Sequence, residues 1–464
     1  MKKLKRLSVL LWERGGRRTV KKVKQKMKQQ LEKRQGSLAE KLQQLKKSGQ
    51  GVWQWIKRRI ILFQGYFRYY PRRCLALVLV SLTGVIVFLF WGYLTGEKFW
   101  IFTGIASDSY GQVFPNYHYA AKRIEEGYNT AGWNFLAGLG NNIGAYDFDI
   151  NNWIMFFGTQ RLPYLFVFSY LFKLILSGVV FYFYLRVMGR RKLTGLVFGL
   201  GYAFCGHMVI RGRWENMPRE VLLVAILLLC FELYFMKKDK RWLPLAILLF
   251  VANSSSYAAL LYGVVFCGYA MFRYFTQRTF QGKDFLRFVG GLLLCLLLAS
   301  PMLLGSVEWI LSSLGSSRFQ TGVSGYTASL AGQERDWFLG LQTIQSAFFR
   351  TIGMDIVGME NAQFSGEING LEDPTFYCGL VAILMLPAAF CKEDKKKKYW
   401  YIGGLVITGM YFFINPLRLL VGGMSGDSTF KLSSFWIIVL FLYLGAEGFE
   451  RFLEQPKLAR RILL

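Results

Sequence analysis

Long apolar runs restrict this chain more than any other feature. Leu75–Leu94 and Val221–Met236 carry a single charge between them, Glu232. About 20 apolar residues cross the roughly 30 Å hydrocarbon layer of a bilayer. A soluble core helix of that length would show a regular polar face. With 53% hydrophobic and 17% aromatic residues, such runs recur through most of the chain. The expected fold is an all-α polytopic membrane protein.

About ten transmembrane helices are expected, near 75–94, 163–185, 194–210, 219–236, 242–254, 257–275, 288–311, 375–391, 399–414 and 432–448. The stretch 242–275 reads either as one long helix or as two short ones. Basic clusters on both sides, each +3, decide for two that meet at Asn253-Ser254-Ser255-Ser256. A single crossing would put one cluster outside, against the positive-inside rule. The internal loops 186–192, 237–241, 273–287 and 392–398 then sum to +13, and the external segments to −4. Both ends of the chain are expected in the cytoplasm, with two long extracytoplasmic loops at 95–161 and 312–374. Loops of that length are usually functional.

The net charge of +29 does not point to nucleic acid, because +20 of it sits in residues 1–73. Ahead of a first span, such charge attracts anionic inner-leaflet lipids. Val20, Val23, Met27, Leu31, Leu38, Leu42 and Leu45 fit a basic amphipathic helix there. A solvated, partly disordered tail fits equally. The domain expectation is a basic cytoplasmic extension over 1–73, a transmembrane domain over 74–450 and a cytoplasmic tail over 451–464. No signal peptide is expected, since the first long apolar stretch begins near Leu75. All seven cysteines fall in or beside expected spans and show no CxxC spacing, which disfavours a disulfide framework or a thiolate metal site. No Walker A, GxSxG or HExxH pattern occurs, so ATP hydrolysis and metalloproteolysis lack their usual apparatus.

The first external loop holds the most chemistry. It reads Asp108-Ser109-Tyr110-Gly111-Gln112, then Pro115, Trp133-Asn134 and Gly138-Leu139-Gly140-Asn141, ending in Asp147-Phe148-Asp149. This order resembles the YfhO-type bacterial membrane proteins of the GT-C class of glycosyltransferases. Weaker matches are Gly201–Gly206, Leu298-Ala299-Ser300-Pro301, Ser317-Arg318 and Phe430–Phe435. The sequence departs from that pattern at Lys431, where arginine is expected, and at Asn151-Asn152-Trp153. The resemblance covers roughly residues 75–450.

The resemblance implies transfer of a sugar from a polyprenyl-phosphate donor to a cell-envelope acceptor on the outer face. Teichoic acid, lipoteichoic acid or another surface glycan is the implied acceptor class. Such an enzyme needs a carboxylate to take the acceptor proton and cations for the departing lipid phosphate. Asp108 is the candidate base, against an N-cap role for the helix beginning near Tyr110. Arg213 and Arg219 lead the candidates for the donor phosphate, with Arg211, Arg318 and Lys431; each could instead be a snorkelling interfacial residue. Tyr110, Gln112, His118, Trp133, Asn134 and Glu308 are candidates for the acceptor or sugar. Asp147 and Asp149 could join Asp108 around a divalent cation, Mg or Mn, or belong to a solvated acidic loop.

Lys173 and Glu232 lie within expected spans, where charge is costly. Lys173 is expected to pair with an acid on a neighbouring helix, and Glu232 to be structural in the cytoplasmic half. The competing function is a transporter or lipid-carrier flippase for envelope precursors. It would need polar groups in mid-membrane and broken helices. Asn253–Ser256, Lys173 and Glu232 are its candidates. A non-catalytic scaffold that recruits partners through its basic tail is a third reading.

Overall fold

The computed structural model describes residues 71–103, 108–128, 133–134, 141–142, 150–214, 216–254, 256–276, 282–300, 337–358, 364–366, 370–371, 373–391, 394–421 and 430–454. The basic extension expected over 1–73 lies outside them, except at its last residues.

The described chain is mostly helical. The two strands, β1 (Trp133–Asn134) and β2 (Asn141–Asn142), are two residues long and pair antiparallel. The principal helices are α1 (Pro71–Leu89), α2 (Trp91–Leu94), α3 (Phe114–Glu125), α4 (Ile150–Ile154), α5 (Leu162–Val187), α6 (Lys192–Ala203), α7 (Gly206–Ile210) and α8 (Asn216–Lys237). They continue with α9 (Trp242–Asn253), α10 (Ser256–Phe275), α11 (Gly282–Leu298), α12 (Leu341–Ile352), α13 (Leu380–Met385), α14 (Lys395–Phe413), α15 (Asn415–Val421) and α16 (Phe430–Glu454). Two stretches, Leu162–Val187 and Lys192–Arg213, are long and apolar enough to cross a membrane.

Several expected boundaries hold to within a few residues. The helix break expected at 253–256 falls between α9 and α10. Three expectations need correction. The run 194–210 is not one continuous helix: it breaks at Phe204-Cys205, where the Gly206 N–H leaves the helical ladder and donates to the Tyr377 carbonyl at 2.8 Å. The run 375–391 is helical only from Leu380: residues 374–377 have no regular secondary structure, and Gly379 turns the chain at φ +91°. Loop 312–374 contains an amphipathic helix, α12, which its Gly/Ser-rich composition concealed.

The helices α5 and α8 run side by side in the same direction. At their N-terminal ends, Phe166 and Pro218 line one hollow. Towards their C-terminal ends, the Tyr184 and Tyr269 hydroxyls lie 2.9 Å apart and Tyr269 O–H donates to Glu232 at 2.5 Å. Arg273 Nη2 donates to the other Glu232 oxygen at 2.7 Å. Glu232 is therefore a buried, fully engaged tie between α8 and α10, as its structural reading required.

This second end also gathers most of the basic loops. Arg190 pairs with Glu447, the Arg191 N–H donates to Glu450 at 2.6 Å, and Lys238 reaches Asp284 at 3.3 Å. Nearby, hydrogen bonds from Arg241 hold the Asp239 carboxyl below the usual range, at about 2. Close backbone contact locks α16 onto α13. A Cβ on Gly445 would sit 2.7 Å from the Ala382 carbonyl oxygen, and one on Gly448 would fall onto the Met385 carbonyl.

Candidate functional site

The opposite end of α5 and α8 carries the hollow. It encloses about 320 Å³ of non-atom space, part of it open to solvent. Its lining comes from the segment after α2 (Trp100), the turn after Asp108 (Ser109, Val113), α5 (Phe166, Tyr170, Lys173) and the approach to α8 (Gly212, Arg213, Pro218). No short stretch of sequence contains this set.

An aromatic wall fixes its shape. Trp100 stacks on Tyr170, with ring centroids 4.4 Å apart and planes 16° apart. Trp100 Nε1–H donates to the Gly212 carbonyl at 3.2 Å, and Tyr170 O–H donates to the Met208 carbonyl at 3.1 Å. These bonds satisfy the polar ends of rings that are otherwise packed against apolar groups. Gly212 has to be glycine, since a Cβ there would sit 2.5 Å from the Tyr170 ring.

Asp108 stands at the entrance to the turn Ser109–Val113, which forms a π-helix before α3 continues. Single π-turns in helices are frequent at functional sites. Ser109 is buried and its Oγ accepts the Phe102 N–H at 3.3 Å, which fixes the turn against the segment after α2. Asp108 is exposed, has helical dihedrals (φ −55°, ψ −35°) and makes no side-chain cap bond. The N-cap role that competed with catalysis for this residue is therefore not the one it plays here.

The candidate cations separate. Arg213 lines the hollow, with its guanidinium 4.9 Å from the Phe102 ring centroid. Arg219 is half-buried one residue beyond the lining Pro218. Arg211 takes a different place from the one expected. It is fully buried, and its nitrogens reach the Leu371 carbonyl at 2.9 Å, the Asp373 carbonyl at 3.1 Å and His207 Nδ1 at 3.1 Å. A guanidinium so occupied anchors backbone rather than receiving a phosphate. Arg350 on α12 shares the task, donating to the Asp373 carbonyl at 3.2 Å and to the Gly370 carbonyl. Burial pushes the Arg350 guanidinium down to about 10, partly opposed by the Asp373 carboxylate, so it stays charged at neutral pH.

Lys173, expected within a span, also lines the hollow. It is buried on α5, 11 residues beyond Leu162 and so about 16 Å along the helix axis. Helical side chains lean toward the helix N-terminus, which is where the hollow lies. A lone lysine in an apolar helix was the available signal; what it faces depended on chain segments far away in sequence.

Tyr110, Gln112 and His118 are exposed around the same turn and helix, with the His118 ring 5.8 Å from Phe114. Trp133 and Asn134 are placed by backbone pairing with Asn142 and Asn141. Arg318, Glu308, Asp147 and Asp149 lie outside the described residues, as does the Lys431 side chain. Among the described residues, no group of three His, Cys, Asp or Glu is placed to hold a metal. The expected partners of Asp108 in such a group, Asp147 and Asp149, are not among them. No protein family, curated protein or solved structure matches the chain.

Proposed function

We propose that this protein is a membrane glycosyltransferase of GT-C type, embedded through about ten helices in a bacterial cell membrane with both termini in the cytoplasm. It moves a sugar from a polyprenyl-phosphate donor to a hydroxyl of a cell-envelope glycan, such as teichoic or lipoteichoic acid. Membrane embedding is supported by helices that present leucines outward, as Leu286, Leu293, Leu297 and Leu298 of α11 do. Such a surface is unfavourable in water and ordinary in lipid.

One observation carries the reading: a hollow is lined by two cations from separate elements, Lys173 and Arg213, and by Ser109, the residue that follows the exposed carboxylate Asp108. In the reaction, the Asp108 carboxylate takes the proton of the acceptor hydroxyl as its oxygen attacks the anomeric carbon. The bond from that carbon to the donor phosphate breaks, and the leaving phosphate gains negative charge. Lys173 and Arg213 stabilise that charge where water is scarce. The aromatic wall of Trp100 and Tyr170 offers an apolar ring face for the sugar. The activated donor supplies the energy.

The test is replacement of the protein by its Asp108→Asn form in cells, with mass analysis of envelope glycans and polyprenyl-linked sugars. The expected result is an inserted, folded protein, an undecorated polymer and accumulated donor. Normal decoration by a well-expressed variant overturns the assignment. The interrupted helix at Phe204-Cys205 favours a second reading, a flippase for lipid-linked precursors, since broken helices line transport paths. That reading predicts movement of labelled lipid across vesicles, unaffected by Asp108→Asn.

A further inference from the structure

Helix α12 is inside out for a water-facing loop. Thr343, Ser346, Ala347 and Arg350, which share one face at spacings of three and four, are buried. The outward residues are Leu341 at 71% exposure and Phe348 at 62%, with Phe349, Ile352 and two glutamines, Gln342 and Gln345; Gln342 turns its amide onto the Ser365 and Gly366 carbonyls. In water this arrangement loses twice, because polar groups give up hydration while phenylalanines remain wet. In contact with lipid both terms reverse sign.

We propose that α12 lies embedded in the outer leaflet, with its apolar face covered by phospholipid acyl chains. The proposal rests on the membrane reading above and extends it to a segment whose sequence suggested an aqueous loop. Twelve residues make about 18 Å of helix, too short to cross and suited to lying along the boundary.

The identity of the cover comes from what the face joins. The Leu339 N–H donates to the Phe413 carbonyl at 3.0 Å, and the Asn415 N–H donates to the Trp337 carbonyl at 3.1 Å. Through these bonds, exposed Trp337 and Phe338 continue the outward stripe of α14 formed by Val406, Ile407, Met410 and Phe413. That stripe starts beyond four consecutive lysines, Lys395–Lys398, the pattern of a helix anchored at an anionic inner surface. From Lys398 to Phe413 the helix climbs about 22 Å, which brings α12 close to the opposite edge of the hydrocarbon layer. The apolar surface is thus one band along α14 and α12, and a lipid is the occupant that covers such a band without interruption.

The experiment uses the full-length protein in phospholipid vesicles with two reagents read by mass spectrometry: a membrane-soluble diazirine photolabel and hydroxyl radicals. Diazirine adducts are expected on Leu341, Phe348 and Phe349. Radical oxidation of the same residues is expected to be lost relative to Tyr128, an exposed tyrosine beyond α3. Oxidation of Phe348 comparable to that of Tyr128, without diazirine labelling, overturns the proposal in favour of a water-facing loop. Protection from both reagents overturns it in favour of a protein partner. Repeating the labelling on Asp108→Asn separates this question from catalysis, because the pattern is expected to be identical whether or not the variant transfers sugar.

Discussion

Arg211 and Arg350 donate to the same backbone oxygen, the carbonyl of Asp373, at 3.1 and 3.2 Å. One arginine follows α7 and sits next to Gly212 and Arg213 of the hollow; the other lies on α12. The shared acceptor therefore connects the outward-facing α12 to the lining of the hollow through two hydrogen bonds. Removing either arginine leaves buried carbonyls unsatisfied, which costs about 1–3 kcal/mol for each such group. Arg350→Met and Arg211→Met are each expected to lower the unfolding temperature in detergent. Because either arginine alone still satisfies the shared Asp373 carbonyl, the double variant should lose more than the sum, which a double-mutant cycle measures.

Gly212→Ala should disturb the aromatic wall. The new methyl would sit 2.5 Å from the Tyr170 ring, so Tyr170 has to leave its stack with Trp100. Overpacking of this kind costs about 1–3 kcal/mol. The expected readouts are a lower unfolding temperature and reduced sugar transfer, with the protein still inserted.

Lys173→Met tests the buried cation of the hollow. Loss of one group that stabilises developing charge lowers kcat by about 10²–10³-fold. Methionine fills the space of the lysine stem, so the substitution removes the charge with little change in buried volume. Lys173→Arg should restore part of the rate. A large fall in stability with an unchanged rate would make Lys173 structural.

Gly448→Ala should be among the most damaging single substitutions in the helical bundle. The added carbon falls on the Met385 carbonyl, a backbone atom that cannot rotate aside. Helix α16 would have to separate from the turn after α13, and the nearby Arg190–Glu447 pair would open with it. Low yield of folded protein, measured by size-exclusion profile, is expected, whereas Gly263→Ala, with nothing near its added carbon, should behave as the parent.

Acid should weaken the turn between α8 and α9. The folded Asp239 carboxyl titrates at about 2, below the ordinary aspartate value near ~3.9. A depressed acid contributes stability above its unfolded pKa and loses that contribution as pH falls through the folded value. The window runs from about pH 4 down to about pH 2. Asp239→Asn should flatten the pH dependence of unfolding there, by a small amount because the pair is exposed.

The sequence by itself determined where most helices lie, because apolar runs and the Gly, Pro and charge clusters that end them are local. The break between Asn253 and Ser256 was legible from two flanking basic clusters, and the helical start after Asp108 from local residue types. Tertiary structure alone decided what those helices place together. Lys173 and Arg213 are 40 positions apart and meet at one hollow; Arg211, two residues from Arg213, turns inward to carbonyls 160 and 162 positions further along the chain. The inverted polarity of α12 was equally hidden: a periodic stripe marks two faces of a helix, but only its neighbours determine which face is buried.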